Sequence, residues 1–152
     1  MFDLAAELPR LLPNAIAWAE SEELQAQREG LPLDAFGVRL ARAVGVLQPE
    51  LIRVVESDSL PVPADAELNF AATQAGLLGP DMTGLTLGYA VFIRAGHVSA
   101  RLMSHEFRHV YQYEAAGSIS AFLPVYLEQI VVYGYEEAPF EVDARGHEHE
   151  LA

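Results

Sequence analysis

Residues 99–117, SARLMSHEFRHVYQYEAAG, place two histidines and a glutamate on a segment patterned as an amphipathic helix. Each helical residue turns about 100°, so residues four apart share a face. His105 and His109 are such a pair, and Leu102 and Tyr113 fall in the same sector, which directs that face to a core. Arg101, Ser104 and Arg108 fall on the opposite side, which reads as solvated. Two inward imidazoles need partners, because a polar group buried alone is costly. One reading is a pair of core histidines satisfied by hydrogen bonds. The other is a metal: two histidines at this spacing can both reach one Zn2+ at about 2.0–2.1 Å. Glu106 borders the same face and is placed to hold a water and take its proton, as a general base rather than a ligand.

A catalytic zinc takes three protein ligands and keeps an open position. No third histidine follows in a His-x-x-Gly-x-x-His extension, so a downstream carboxylate must serve. Glu114 lies on the same helix but about 140° round from His109, on the wrong face. Glu128 falls between Ala121 and Pro124 in the least apolar sector of its helix, whose buried side reads as Phe122, Tyr126, Ile130 and Tyr133. Glu141 follows Pro139 in the first turn of a last helix, with the small Ala144 three residues on, which lets that helix pack closely on the histidine helix. Glu141 is the preferred third ligand; Glu128, Asp143, Glu137 and the tail histidines are the alternatives.

The rest of the chain supplies a frame of α+β class. Residues 14–29 are patterned as a helix that Gly30 and Pro32 end, and Asp34 can cap a second helix running to Leu47, with Phe36, Leu40, Val44 and Leu47 on its stripe. LIRVVES, after Pro49, reads as a strand, and residues 66–77 as a short helix. Residues 85–94 alternate with period two and read as one further strand, in which Gly88 marks a bulge or a close backbone approach. The histidine helix, closed by Gly117, is followed by a helix over 120–133 ending at Gly134. Gln112 and Tyr113 read as packing residues or as groups that orient the ligands, His97 as a surface residue, and His147 and His149 as part of a polar tail.

Four segments, GLTLGYAVFIR, HEFRHVYQYEAAG, FLPVYL and GYEEAPFEVDAR, carry a resemblance to the gluzincin clan of zinc metallopeptidases, most closely to small bacterial gluzincin domains. The likeness covers about residues 50–146. It implies a zincin-like fold: N-terminal helices, a small mixed sheet, the histidine helix and the helices after it. It implies Zn2+ held by His105, His109 and Glu141, with Glu106 as catalytic base, and a strand before the histidine helix that pairs with a peptide substrate. The thermolysin-type C-terminal subdomain has no counterpart, so the group that would steady the substrate carbonyl is unassigned; Tyr126, Tyr133 and Tyr135 are the candidates. The expected organisation is one domain over 1–152: a helical extension (1–48), a peptidase-like core (49–146) and a polar tail (147–152).

Composition narrows the partners. The formal net charge is −13, and every basic residue is an arginine. So acidic a chain repels phosphate backbones, which argues against nucleic acid. No apolar run approaches the ~20 residues of a membrane span. The start, MFDLAAELPRLLP, has an acid at Asp3 and no basic region, so it does not read as a secretory signal; a cytoplasmic location is the default expectation, with non-classical export possible. Without cysteine, disulfides and thiolate metal sites are excluded. The functional expectation is a peptide hydrolase using a metal-activated water. The alternative is an inactive or latent zinc-binding module that docks a partner protein.

Overall fold

The computed structural model describes residues 1–149. Helix α1 (Leu4–Glu29) opens well before residue 14 and continues through Pro9 and Pro13. An interior proline costs about 3 kcal/mol relative to alanine, and packing offsets that here. Asp3 caps the start by accepting from the Ala6 N–H. Leu4, Leu11, Ala15 and Trp18 pack with Leu68 and Ala71 of helix α3 (Ala66–Gln74). Arg10 bridges Glu7 on its own helix and Glu67 on α3.

Helix α2 (Ala35–Ala43) is capped by Asp34, as expected, but ends before Leu47. Gly45 has φ +104°, a left-handed turn that breaks the helix. The expected stripe changes accordingly: Leu40 and Ala41 are buried, whereas Phe36 and Leu47 are exposed. The predicted strand after Pro49 is shorter, β1 (Arg53–Ser57), because Pro49–Leu51 forms a single 3-10 turn.

The single strand expected over 85–94 is a hairpin, β2 (Gly84–Leu87) and β3 (Ala90–Arg94). Gly88, at φ +66°, makes the turn. Glu23 of α1 holds that turn by accepting the Tyr89 N–H at 2.8 Å. The turn shifts the alternation by one residue, setting Leu85 and Leu87 on the face of Phe92 and Ala90, and the apolar run of β3, buried at both parities, hid the break.

The sheet is mixed, in the order β1-β3-β2, with β1 parallel and β2 antiparallel to β3. Central β3 is buried on both faces. Ala90 and Phe92 join a cluster with Ala19, Ala26, Ile119 and Phe122 from α1 and helix α5 (Ile119–Tyr133). Val91 and Ile93 join a cluster with Leu40, Val44, Phe107 and Val110 from α2 and helix α4 (Ala100–Ala116). Gly117, at φ +104°, closes α4, and α5 leaves at 116° to it. Helix α6 (Pro139–Gly146) returns to pack on α4. The described residues thus form six helices and three strands of α+β class, and no single helix among them is long and apolar enough to cross a membrane.

Candidate metal centre

Helix α4 presents His105 and His109 at one end of the sheet, and the first turn of α6 brings Glu141 against them. The Nε2 of His105 lies 3.2 Å from Oε1 of Glu141, and the Nε2 of His109 lies 3.2 Å from Oε2. One ligand atom from each residue falls within 4.8 Å of the others. Ligands at about 2.0–2.1 Å around a tetrahedral ion sit roughly 3.3 Å apart, so the nitrogen–oxygen spacing suits such an ion. Glu141 and His109 are buried, and the His105 side chain is 13% exposed.

The outer nitrogens fix the tautomers. Gln112 donates its amide to the Phe140 carbonyl (3.0 Å) and to Asp143 (2.9 Å), so its oxygen must face His109. That oxygen lies 2.8 Å from Nδ1 of His109, which therefore carries the hydrogen. Nδ1 of His105 lies 2.8 Å from a Glu148 carboxylate oxygen and donates to it. In both rings the proton is held on Nδ1, and Nε2 turns toward Glu141. Metal-binding histidines are typically tethered in this way.

The electrostatics follow from the same contacts. Burial opposes charge on both rings, but the hydrogen bonds to Glu141 prevail and raise both, His109 to about 9. Burial would raise the Glu141 carboxyl, yet the two imidazoles hold it well below the usual carboxylate range. A proton and a carboxylate thus bind the triad together, at a position whose three ligand atoms could hold a cation. Tyr126 adds a hydrogen bond to Oε2 of Glu141 at 2.8 Å.

Glu106 is 5% exposed and does not belong to the triad. Its carboxylate accepts from the Thr86 hydroxyl at 2.7 Å, so the edge strand β2 positions it. Gly84 makes room: a Cβ there would lie 2.8 Å from Oε2 of Glu106. Tyr113 donates its hydroxyl to the Thr86 carbonyl, tying α4 to the same strand.

The other sequence candidates separate clearly. Glu128 and Glu137 are exposed. Asp143 pairs with Arg108 through bonds of 2.8 and 3.3 Å and supports Gln112. Glu114 points elsewhere, accepting from the Leu47 and Gln48 N–H groups and the Tyr89 hydroxyl. Tyr133 is 55% exposed, contrary to its expected burial, because it closes the last turn of α5 before Gly134. Tyr126 donates to Glu141, and Tyr135 also interacts with that carboxylate, so both tyrosines lie beside the site. Ser104, expected to be solvated, is fully buried because the chain after α6 covers it: the His149 N–H donates to its hydroxyl at 2.8 Å. His97 is exposed, and His147 bonds the Asp143 carbonyl; neither they nor His149 join the triad.

Three contributors escaped the sequence reading: Glu148, Thr86 and Gly84. Glu148 sits in what reads as a polar tail, and the two strand residues carry no motif. Only the paths of α6 and β2 bring them to α4. The chain matches no protein-family model, no curated protein and no solved structure.

Proposed function

We propose that the chain is a metal-dependent amide hydrolase, most simply a zinc peptidase of gluzincin type. The observation that carries this reading is the tethering of both histidines through Nδ1 while both Nε2 atoms converge on Glu141. Two imidazoles and a carboxylate, without thiolate, suit Zn2+ at a catalytic site. When bound, such an ion polarises a carbonyl and makes a water acidic enough to serve as nucleophile.

The chain's own groups supply the rest. Glu106 accepts the water's proton and later delivers it to the leaving amine. The Thr86 hydroxyl and the gap at Gly84 hold its carboxylate at one end of the edge strand. Tyr126 and the two imidazoles keep Glu141 charged. Tyr135, which lines both the buried and the open side of the triad, is the tyrosine that would turn from Glu141 to steady the carbonyl oxygen. The outer edge of β2 is where an extended substrate would pair.

Replacing Glu106 by Gln keeps the shape and a hydrogen bond to water but removes the proton acceptor. The variant should keep its zinc and lose hydrolysis about 10²–10⁴-fold, measured on a mixed peptide library read by mass spectrometry. Equal rates in both proteins reject the mechanism. Zinc-loaded wild type that cuts nothing favours a binding module that docks a partner protein.

A further inference from the structure

An apolar cavity of about 140 Å³ lies between α1, α3, β2 and α5, and Glu106, His109 and Glu141 form part of its wall. Among the described residues these three are its only ionisable groups apart from tyrosines. The remainder is largely hydrocarbon, including Leu4, Leu8, Leu11 and Trp18 of α1, Leu68 of α3 and Leu85 of β2. The part of α1 that builds it is the stretch held helical despite two prolines. Its packing on α3, with the Arg10–Glu67 ion pair and the Phe2–Phe70 ring contact, fixes the outer wall.

Size and shape narrow the occupant. A free volume of ~150 Å³ walled largely by hydrocarbon accepts a ligand of about six carbons. The lining residues run down α1 from Leu4 to Ala19, a rise of about 22 Å, longer than any side chain reaches. So small a volume along so long a wall is narrow and fits one unbranched chain.

Building on the hydrolytic reading, we infer that the substrate is an amide whose acyl side is an unbranched aliphatic chain of about six or more carbons, seated in this cavity with its carbonyl at the triad. Hydrolysis forms a C–O bond from water to the acyl carbon and breaks the C–N bond. Both water protons end on the leaving amine, the first by way of Glu106. The products are a fatty carboxylate and an ammonium group.

The test uses the zinc-loaded full chain and straight-chain hydroxamates from acetyl to decanoyl. Binding is read by calorimetry and by the emission of Trp18, the chain's one tryptophan. The dissociation constant should fall about three- to fourfold per methylene and level off once the cavity is filled, with Trp18 responding to the longer chains. Ala72 and Ala15 line the cavity from α3 and α1, away from the triad; Ala72→Phe, which plugs it, should abolish the gain with length and leave acetohydroxamate binding unchanged, and Ala15→Leu is a smaller plug should the first variant not fold. Equal affinity along the series overturns the inference, while bound acetohydroxamate leaves the metal reading standing. Leucine hydroxamate gaining as much as octanohydroxamate also overturns it, in favour of a peptide side chain. If the protein holds no zinc the hydrolytic reading fails separately. The cavity is then probed by Trp18 emission with 1-butanol to 1-octanol, where a gain with length sustains the hydrocarbon occupant and a flat series removes it.

Discussion

Gln112 shows how much a single side chain can decide at this site. It is 4% exposed and fully engaged: two acceptors take its amide hydrogens and its oxygen takes the His109 proton. A leucine of similar size would leave Nδ1 of His109 without an acceptor. The proton could then move to Nε2 and remove the lone pair a cation needs. Outer partners of this kind contribute 10–100-fold to metal affinity, so Gln112→Leu should weaken zinc by about that factor in a competition titration with a chelating dye. Unchanged affinity would show that the hydrogen bond is incidental. Glu141→Gln should lose zinc more severely, because an inner ligand charge disappears, and Glu128→Gln should bind as wild type because Glu128 is exposed. Zinc content by plasma emission spectroscopy distinguishes the two.

Among the elements, the β2–β3 hairpin positions Glu106, the proposed general base. Its turn depends on Gly88, whose φ of +66° disfavours any residue with a Cβ. A methyl group there would also meet the Glu23 carboxylate that accepts the Tyr89 N–H. The left-handed conformation alone costs about 1–2 kcal/mol for an L-residue, and displacing Glu23 adds to it. Gly88→Ala should therefore destabilise the fold by at least that amount in urea unfolding. A smaller effect would mean that the turn relaxes into another conformation without loss. The two-residue turn shifts the facing parity by one, but β3 is buried on both faces and is apolar at both parities, which is why one strand was expected where two are present. Helix α1 teaches the opposite lesson. The sequence pattern placed this helix only over residues 14–29, and the α3 surface and the Arg10 ion pairs explain why it begins at Leu4 despite Pro9 and Pro13.

For the molecule as a whole, the triad joins α4 to α6, the last helix among the described residues. A cation bound only by the folded state stabilises that state by mass action, about 2.7 kcal/mol at one hundred times its dissociation constant. For a chain of this length that corresponds to a rise in melting temperature of roughly 5–11 °C. Chelation should reverse the rise, and the His105→Ala, His109→Ala double variant should show none, both by scanning calorimetry. Equal melting temperatures with and without chelator would remove the metal from the account. The protein without metal should still fold, because the imidazoles, Glu141 and Tyr126 already satisfy one another and no buried side-chain polar atom lacks a partner among the described residues.

Local periodicity and end signals determined much of this from the sequence alone. The i, i+4 spacing put His105 and His109 on one face, Ser99 and Gly117 bounded their helix, and Pro139 opened the helix that carries Glu141. These features depend on backbone geometry within a few residues, so a linear reading captures them. What the tertiary structure decided lies between segments distant in sequence: the Glu148 bond to His105, the Thr86 hydroxyl on Glu106, the space at Gly84 and the apolar wall made by α1. Such contacts depend on where α6, β2 and α1 come to rest, and burial of the whole apolar surface sets those positions. Neither a carboxylate in a tail nor a glycine in a strand carries any mark of that in its neighbours.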